Sequence, residues 1–223
     1  MSTSRRHFLA GLAGLGLAGC QGSRTVAKNK PAKPVNTEAP DSSSDIRQVS
    51  ASGRDLYFAR LETTKGDVLI EVHPEWAPRG AQRFRELIET GFYDGCKFFR
   101  VMEGFMAQVG MNGDPAVNSQ WDKKKLRDDP VIQSNKPGFV TFATSGKDSR
   151  TTQFFINMGD NSQLDSQGFS PFGKVIEGQD VVTSFCNRYG EQPNQDRIRR
   201  TGNEYLEREF PQLDAIVRAT IES

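Results

Sequence analysis

From residue 58 to residue 221 the apolar positions fall into short runs separated by turn residues, the pattern of a chain made of many short strands. The runs at 58–63 and 68–72 flank Thr64-Lys65-Gly66-Asp67, a turn whose glycine accepts positive φ, and together they predict a hairpin. Further strands are predicted at 98–101, 105–109, 139–143, 153–157, 172–175 and 216–221. Two segments change to helical spacing. Over 78–90, Phe84, Leu87 and Ile88 fall at i, i+3 and i+4, with Pro78 suited to the first turn and Gly91 to the stop. Over 179–188, Val181, Val182, Phe185 and Cys186 supply a second apolar face ahead of Gly190. A short helix is expected at 203–209, ending before Pro211, and the polar stretch 111–136, anchored only by Trp121, reads as a long loop. Many short strands with two well-spaced helices indicate a mainly β protein, a closed antiparallel barrel with a helix over each open end.

Two polar side chains interrupt the strands at 98–101 and 105–109, namely Arg100 and Gln108. Period two puts Phe98 and Arg100 on one face and Phe99 and Val101 on the other. Gln153 and Phe155 repeat the polar and aromatic pairing on a later strand. Spacing alone leaves two readings open, a solvated strand arginine or one placed there for chemistry.

Composition narrows the chemistry. Across 223 residues, Lys+Arg 29 against Asp+Glu 28 gives a formal charge of +1, so no general attraction to nucleic acid is implied. With only His7 and His73 the chain cannot build a histidine-rich metal site, and a hydrolytic dyad would have to use His73, which stands at a strand end before Pro74. No cofactor is implied either. Gly14-Leu15-Gly16-Leu17-Ala18-Gly19 satisfies a nucleotide-binding glycine pattern but follows no strand. Cys96 and Cys186 lack CxxC spacing and are either buried thiols or one disulfide.

The amino terminus reads as an address. Ser4-Arg5-Arg6-His7-Phe8-Leu9 is a twin-arginine pattern, and the apolar run 10–19 has the length of a signal-peptide core but is too short to span a bilayer. It ends in Leu17-Ala18-Gly19-Cys20, which resembles the lipobox of bacterial lipoproteins and implies lipidation of Cys20; the alternative is a plain cleaved signal with an incidental cysteine. Residues 20–53, rich in Lys, Ala, Pro, Asn and Ser, have too few large apolar side chains to fold and read as a tether. The organisation expected is a signal at 1–19, a tether at 20–53 and a folded domain at 54–223. The protein is expected to be a monomer, exported to the cell envelope and anchored to a membrane through Cys20.

Phe98-Phe99-Arg100-Val101-Met102-Glu103-Gly104-Phe105-Met106-Ala107-Gln108-Val109-Gly110, followed by Thr152-Gln153-Phe154-Phe155-Ile156 and by Phe172-Gly173-Lys174-Val175, resembles the ordered motifs of the cyclophilin-type peptidyl-prolyl cis-trans isomerases. The resemblance runs from about Phe58 to the second helix and on toward the last strand. It implies an eight-stranded barrel with a substrate groove on its outside, proline-containing polypeptides as partners, and Arg100 and Gln108 as catalytic residues. Phe105, Met106, Ala143, Thr144, Gln153, Phe155, Leu164 and Phe169 are implied as substrate-binding. The chain departs from the family at Val109, where glycine is usual, and at Thr144, where asparagine is frequent. It departs again at Gln163, where a tryptophan important for cyclosporin binding stands, and near Phe169, where a histidine is usual. A non-catalytic proline-peptide receptor and a structural lipoprotein are the alternative functions.

Overall fold

The computed structural model describes residues 55–222; the expected signal 1–19, the tether 20–53 and Cys20 lie outside the described residues. Eight strands, β1 (Tyr57–Thr63), β2 (Gly66–Val72), β3 (Arg100–Met102), β4 (Met106–Val109), β5 (Phe139–Phe142), β6 (Phe154–Asn157), β7 (Pro171–Glu177) and β8 (Ile216–Glu222), form one antiparallel sheet in the order β3-β4-β6-β5-β7-β2-β1-β8. The predicted hairpin is present, with Thr63 opposite Gly66 and Gly66 at φ +129°. The sheet curls until its edges meet upstream of β3. There Lys97 bridges Ala215, Gly95 N–H donates to Ile216 O at 2.8 Å, Ile216 N–H to Cys96 O at 2.9 Å and Phe98 N–H to Asp214 O at 2.8 Å. The barrel therefore closes at a short seam and not along a full β3–β8 ladder.

Alternation along the strands fills the interior. Leu61, Val68, Ile70, Val101, Val109, Phe154, Ile156 and Phe172 point inward, each at most 2% exposed. Full burial of one such side chain contributes roughly 1.5–3 kcal/mol. Helix α1 (Pro78–Glu89) lays Phe84, Leu87 and Ile88 into this core. The Phe84 ring lies 5.2 Å from Phe154 and 4.9 Å from Phe172. No side chain of α1 caps its own start. Asp129 does so from the 111–136 stretch, accepting from Arg79 N–H at 3.2 Å and Gly80 N–H at 2.9 Å, while the buried Arg150 guanidinium neutralises it at 3.1 Å.

The helices correct the expectations in several places. The stretch 111–136 is not wholly a loop, because α2 (Pro115–Trp121) lies in it, started by Asp114, which accepts from Ala116 N–H at 2.7 Å. The second predicted helix is shorter, α3 (Gln179–Thr183). Beyond it Phe185 turns into the core to stack on Phe98 at 4.1 Å, which ends the helical face. An unanticipated α4 (Gln195–Thr201) follows, capped by Asn194, and α5 (Asn203–Glu209) has the expected bounds. These last two helices enclose a second apolar cluster of Phe99, Met111, Ile198, Tyr205, Leu206, Phe210 and Leu213.

The predicted sharing of a face by Phe98 and Arg100 does not hold. Phe98 lies in the barrel core with Val101, and Phe99 points to the second cluster. Regular alternation begins only at Arg100, where β3 starts, and does not extend back to Phe98. Cys96 and Cys186 are free thiols; Cys96 is buried, and burial pushes its pKa well up.

Candidate active site

Strand register gathers the groove. In the β3–β4 pair Arg100 stands opposite Gln108, and in the β4–β6 pair Gln108 stands opposite Phe155. Directly opposed side chains on neighbouring strands lie within contact reach, so three strands deliver a cation, an amide and an aromatic ring to one outer patch. The inward partners Ala107, Val109, Phe154 and Ile156 fix that outward set by filling the core. Val109 is fully buried there, so the departure from glycine at this position adds to the core and does not narrow the groove. Gly110 beside it is still required, since a Cβ at φ +106° would stand 2.5 Å from Thr152 O.

The resulting groove has a volume of about 290 Å³, and all ten residues expected in it line it. Phe105 and Met106 enter from the turn before β4 and from its start, Ala143 and Thr144 follow β5, Gln153 precedes β6, and Leu164 rides on the 3₁₀ helix Ser162–Gln167. Phe169, just beyond that helix, meets the Phe155 ring edge to face at 5.8 Å. Phe105, Met106, Phe155, Leu164 and Phe169 thus make an apolar pocket. Gln163, on the same 3₁₀ helix, is exposed and outside the lining.

A polar relay borders the pocket. Arg100 Nη1 donates to Gln108 Oε1 at 3.4 Å, and Gln108 Nε2 donates to Gln153 Oε1 at 2.9 Å. The guanidinium also lies 5.8 Å from the Phe105 ring centre. Its strongest contact was not expected: Arg100 Nη2 donates to Glu191 Oε2 at 3.0 Å. Ser145, Ser149, Thr151, Gln195 and Arg199 complete the lining and were also missed. The first three sit in loops flanking the predicted strands. Gln195 and Arg199 belong to α4, whose only sequence signals are Asn194 at its start and Gly202 at its end.

Behind the pocket Asn135 is fully buried and fully occupied. Its side-chain amide donates to Asp165 at 2.7 Å and to Phe169 O at 2.9 Å, while its carbonyl accepts from Thr141 at 2.7 Å. It thereby ties the segment carrying Leu164 and Phe169 to β5. His73 lies outside the groove lining, stacked 3.7 Å from Trp76 between Glu71 and Glu75. Among the described residues no group of three or more His, Cys, Asp or Glu side chains is placed to hold a metal ion. The groove offers hydrogen-bond donors around an apolar pocket and no nucleophile with an adjacent base.

Comparison with known proteins identifies a family. The family model described as cyclophilin type peptidyl-prolyl cis-trans isomerase/CLD matches residues 58–203. A peptidyl-prolyl cis-trans isomerase of Acinetobacter baylyi is 34% identical over 150 residues, covering 62% of this chain and 77% of that protein. Peptidyl-prolyl cis-trans isomerase-like 2 of Gibberella zeae is 34% identical over 148 residues, 63% of this chain but only 24% of that longer protein. Among solved structures, a cyclophilin type peptidyl-prolyl cis-trans isomerase of Cryptosporidium parvum, determined in the presence of the dipeptide Ala-Pro, superposes with a TM-score of 0.57. It is 20% identical and covers 74% of this chain and 99% of that one.

Proposed function

This chain belongs to the cyclophilin-type peptidyl-prolyl cis-trans isomerases, and from that premise we propose that it accelerates Xaa-Pro isomerisation in exported polypeptides through a hydrogen bond from Arg100 to the prolyl nitrogen. Rotation about a peptide bond is opposed by a resonance barrier of about 18–20 kcal/mol. Catalysis needs a site that binds the twisted bond better than the planar one and requires no proton shuttle. The apolar pocket of Phe105, Met106, Phe155, Leu164 and Phe169 takes the proline ring. Gln108 holds the substrate backbone and orients Arg100, with Gln153 behind it. As the bond twists, the prolyl nitrogen loses conjugation and becomes an acceptor. A guanidinium aimed at that nitrogen then gains a bond that the planar state lacks. The observation that carries this reading is the permanently charged Arg100 lining the same groove as the apolar side chains of Phe105, Met106, Phe155, Leu164 and Phe169. The Ala-Pro dipeptide used with the Cryptosporidium parvum structural neighbour supports the substrate class.

Exchange between cis and trans forms of short Xaa-Pro peptides, measured by magnetisation transfer, tests the reading. Arg100→Ala should lower kcat/KM by ~10²–10³ with the circular dichroism spectrum unchanged; near-normal exchange would overturn it. Tight peptide binding by the wild type without exchange would instead make the protein a proline-peptide receptor. For location, we propose export followed by anchoring through lipidated Cys20, supported by the twin-arginine and lipobox-like sequences. Radioactive fatty acid should label the wild type and not Cys20→Ala. An unlabelled wild type would reject the anchor.

A further inference from the structure

We propose that Glu191 orients the Arg100 guanidinium for the reaction, as a positioning residue, an inference that rests on the isomerase reading above for its catalytic consequence. Two anchors from different parts of the chain hold the guanidinium. Gln108 on β4 accepts from Nη1 at 3.4 Å, and Glu191, in the loop between α3 and α4, accepts from Nη2 at 3.0 Å. Because the guanidinium is a rigid plane, fixing both terminal nitrogens sets its tilt, while Nε–H donates to no other group among the described residues. A single anchor would leave it free to swing.

The Glu191 loop is built to hold its place. Gly190, at φ +52°, accepts at its carbonyl from Val101 N–H, the residue after Arg100, at 3.3 Å. Gln192 N–H closes a turn onto Tyr189 O at 2.9 Å, and Tyr189 packs edge to face on Phe210 at 5.2 Å. Asn194, the cap of α4, donates its own N–H to the Tyr205 hydroxyl at 3.1 Å. The second apolar cluster thus supports the loop from behind, and Phe99 ties that cluster to the strand bearing Arg100. Stability gives no reason for this arrangement: Glu191 is 66% and Arg100 30% exposed, and such ion pairs contribute little to folding. Preorganisation of a charge beside a proline pocket does give one.

The test is a double-mutant cycle on the folded protein, with Glu191→Gln, Glu191→Asp, Arg100→Ala and the Arg100→Ala/Glu191→Gln double variant. Misplacing a reacting group can cost up to about 10²-fold. Glu191→Gln should therefore lower kcat by roughly tenfold or more while KM changes little, with Glu191→Asp between it and the wild type. In the Arg100→Ala background Glu191→Gln should have no further effect. The Arg100 guanidinium NMR signals, resolved in the wild type, should average in Glu191→Gln. Unchanged kcat, a rise in activity showing that the carboxylate competes with substrate, or a loss that adds to that of Arg100→Ala would each overturn the inference. The NMR arm separates it from the isomerase reading: a wild type without exchange activity would reject that reading, while averaged signals would still assign the positioning to Glu191 and unaltered signals would reject that too.

Discussion

Asp165 sits one residue beyond Leu164, and its carboxylate is held by Ser134 and by both the backbone and side chain of Asn135. Burial pushes its pKa up, but the donors from Ser134 and Asn135 and the charge of Lys136 outweigh burial, so it lies below the ordinary carboxylate value. Asp160 is displaced the same way, down to about 2, chiefly by its hydrogen bond from Lys136. A depressed folded-state pKa means that the carboxylate stabilises the fold fully above its unfolded value. That contribution disappears as pH falls through the folded value. Asp165→Asn should therefore be less stable than the wild type at pH 7, with the gap narrowing below about pH 4. Urea unfolding at stepped pH measures it, and a gap unchanged down to pH 3 would contradict the assignment. At this scale the groove was largely legible, because Arg100, Gln108 and Phe155 stand in strands whose register follows from the inward apolar residues, and Gln153 directly precedes one of them. Glu191 was not, because no periodicity links it to a partner 91 residues earlier in the chain.

Among the elements, legibility followed the strength of the apolar pattern. Seven strands and α1 carry clear periodicity and, with β3, whose alternation starts only at Arg100, appear close to their expected bounds. Helix α4 presents only Ile198 as a buried side chain, so its sequence has no apolar face to detect. Helix α2 was announced by Asp114-Pro115, a cap followed by a first-turn proline, but its polar surroundings hid it. The stretch around α2 also does work that composition could not reveal. Asp129 supplies the missing cap of α1, and Asn135 fastens the apolar pocket to β5. Both act through single polar side chains at contacts distant in sequence. A polar excursion in a barrel of short strands is thus part of the scaffold of the groove. Its removal would loosen the start of α1 and the Phe169 wall together.

For the molecule as a whole, the two apolar clusters meet at β3, with Phe99 committed to one and Val101 to the other, leaving Arg100 between them facing the groove. The position of that guanidinium is therefore a property of the packing on both sides of one short strand. The seam that closes the sheet bears on how the chain reaches this state. Strand β8 completes β1, pairing Phe58 with Glu222, and residues 214–216 seal 95–98, so both edges stay open until residues 214–222 are in place. Until then β1 and 95–98 present unsatisfied backbone donors and acceptors, the template for pairing with another molecule. A chain ending at Leu213 should consequently self-associate, read as rising light scattering at micromolar concentration; a monodisperse product would show that the edges are covered in another way. Strand β8 thereby covers edges open to pairing with another molecule, and a protein that we propose assists the folding of others relies on a long-range closure in its own assembly.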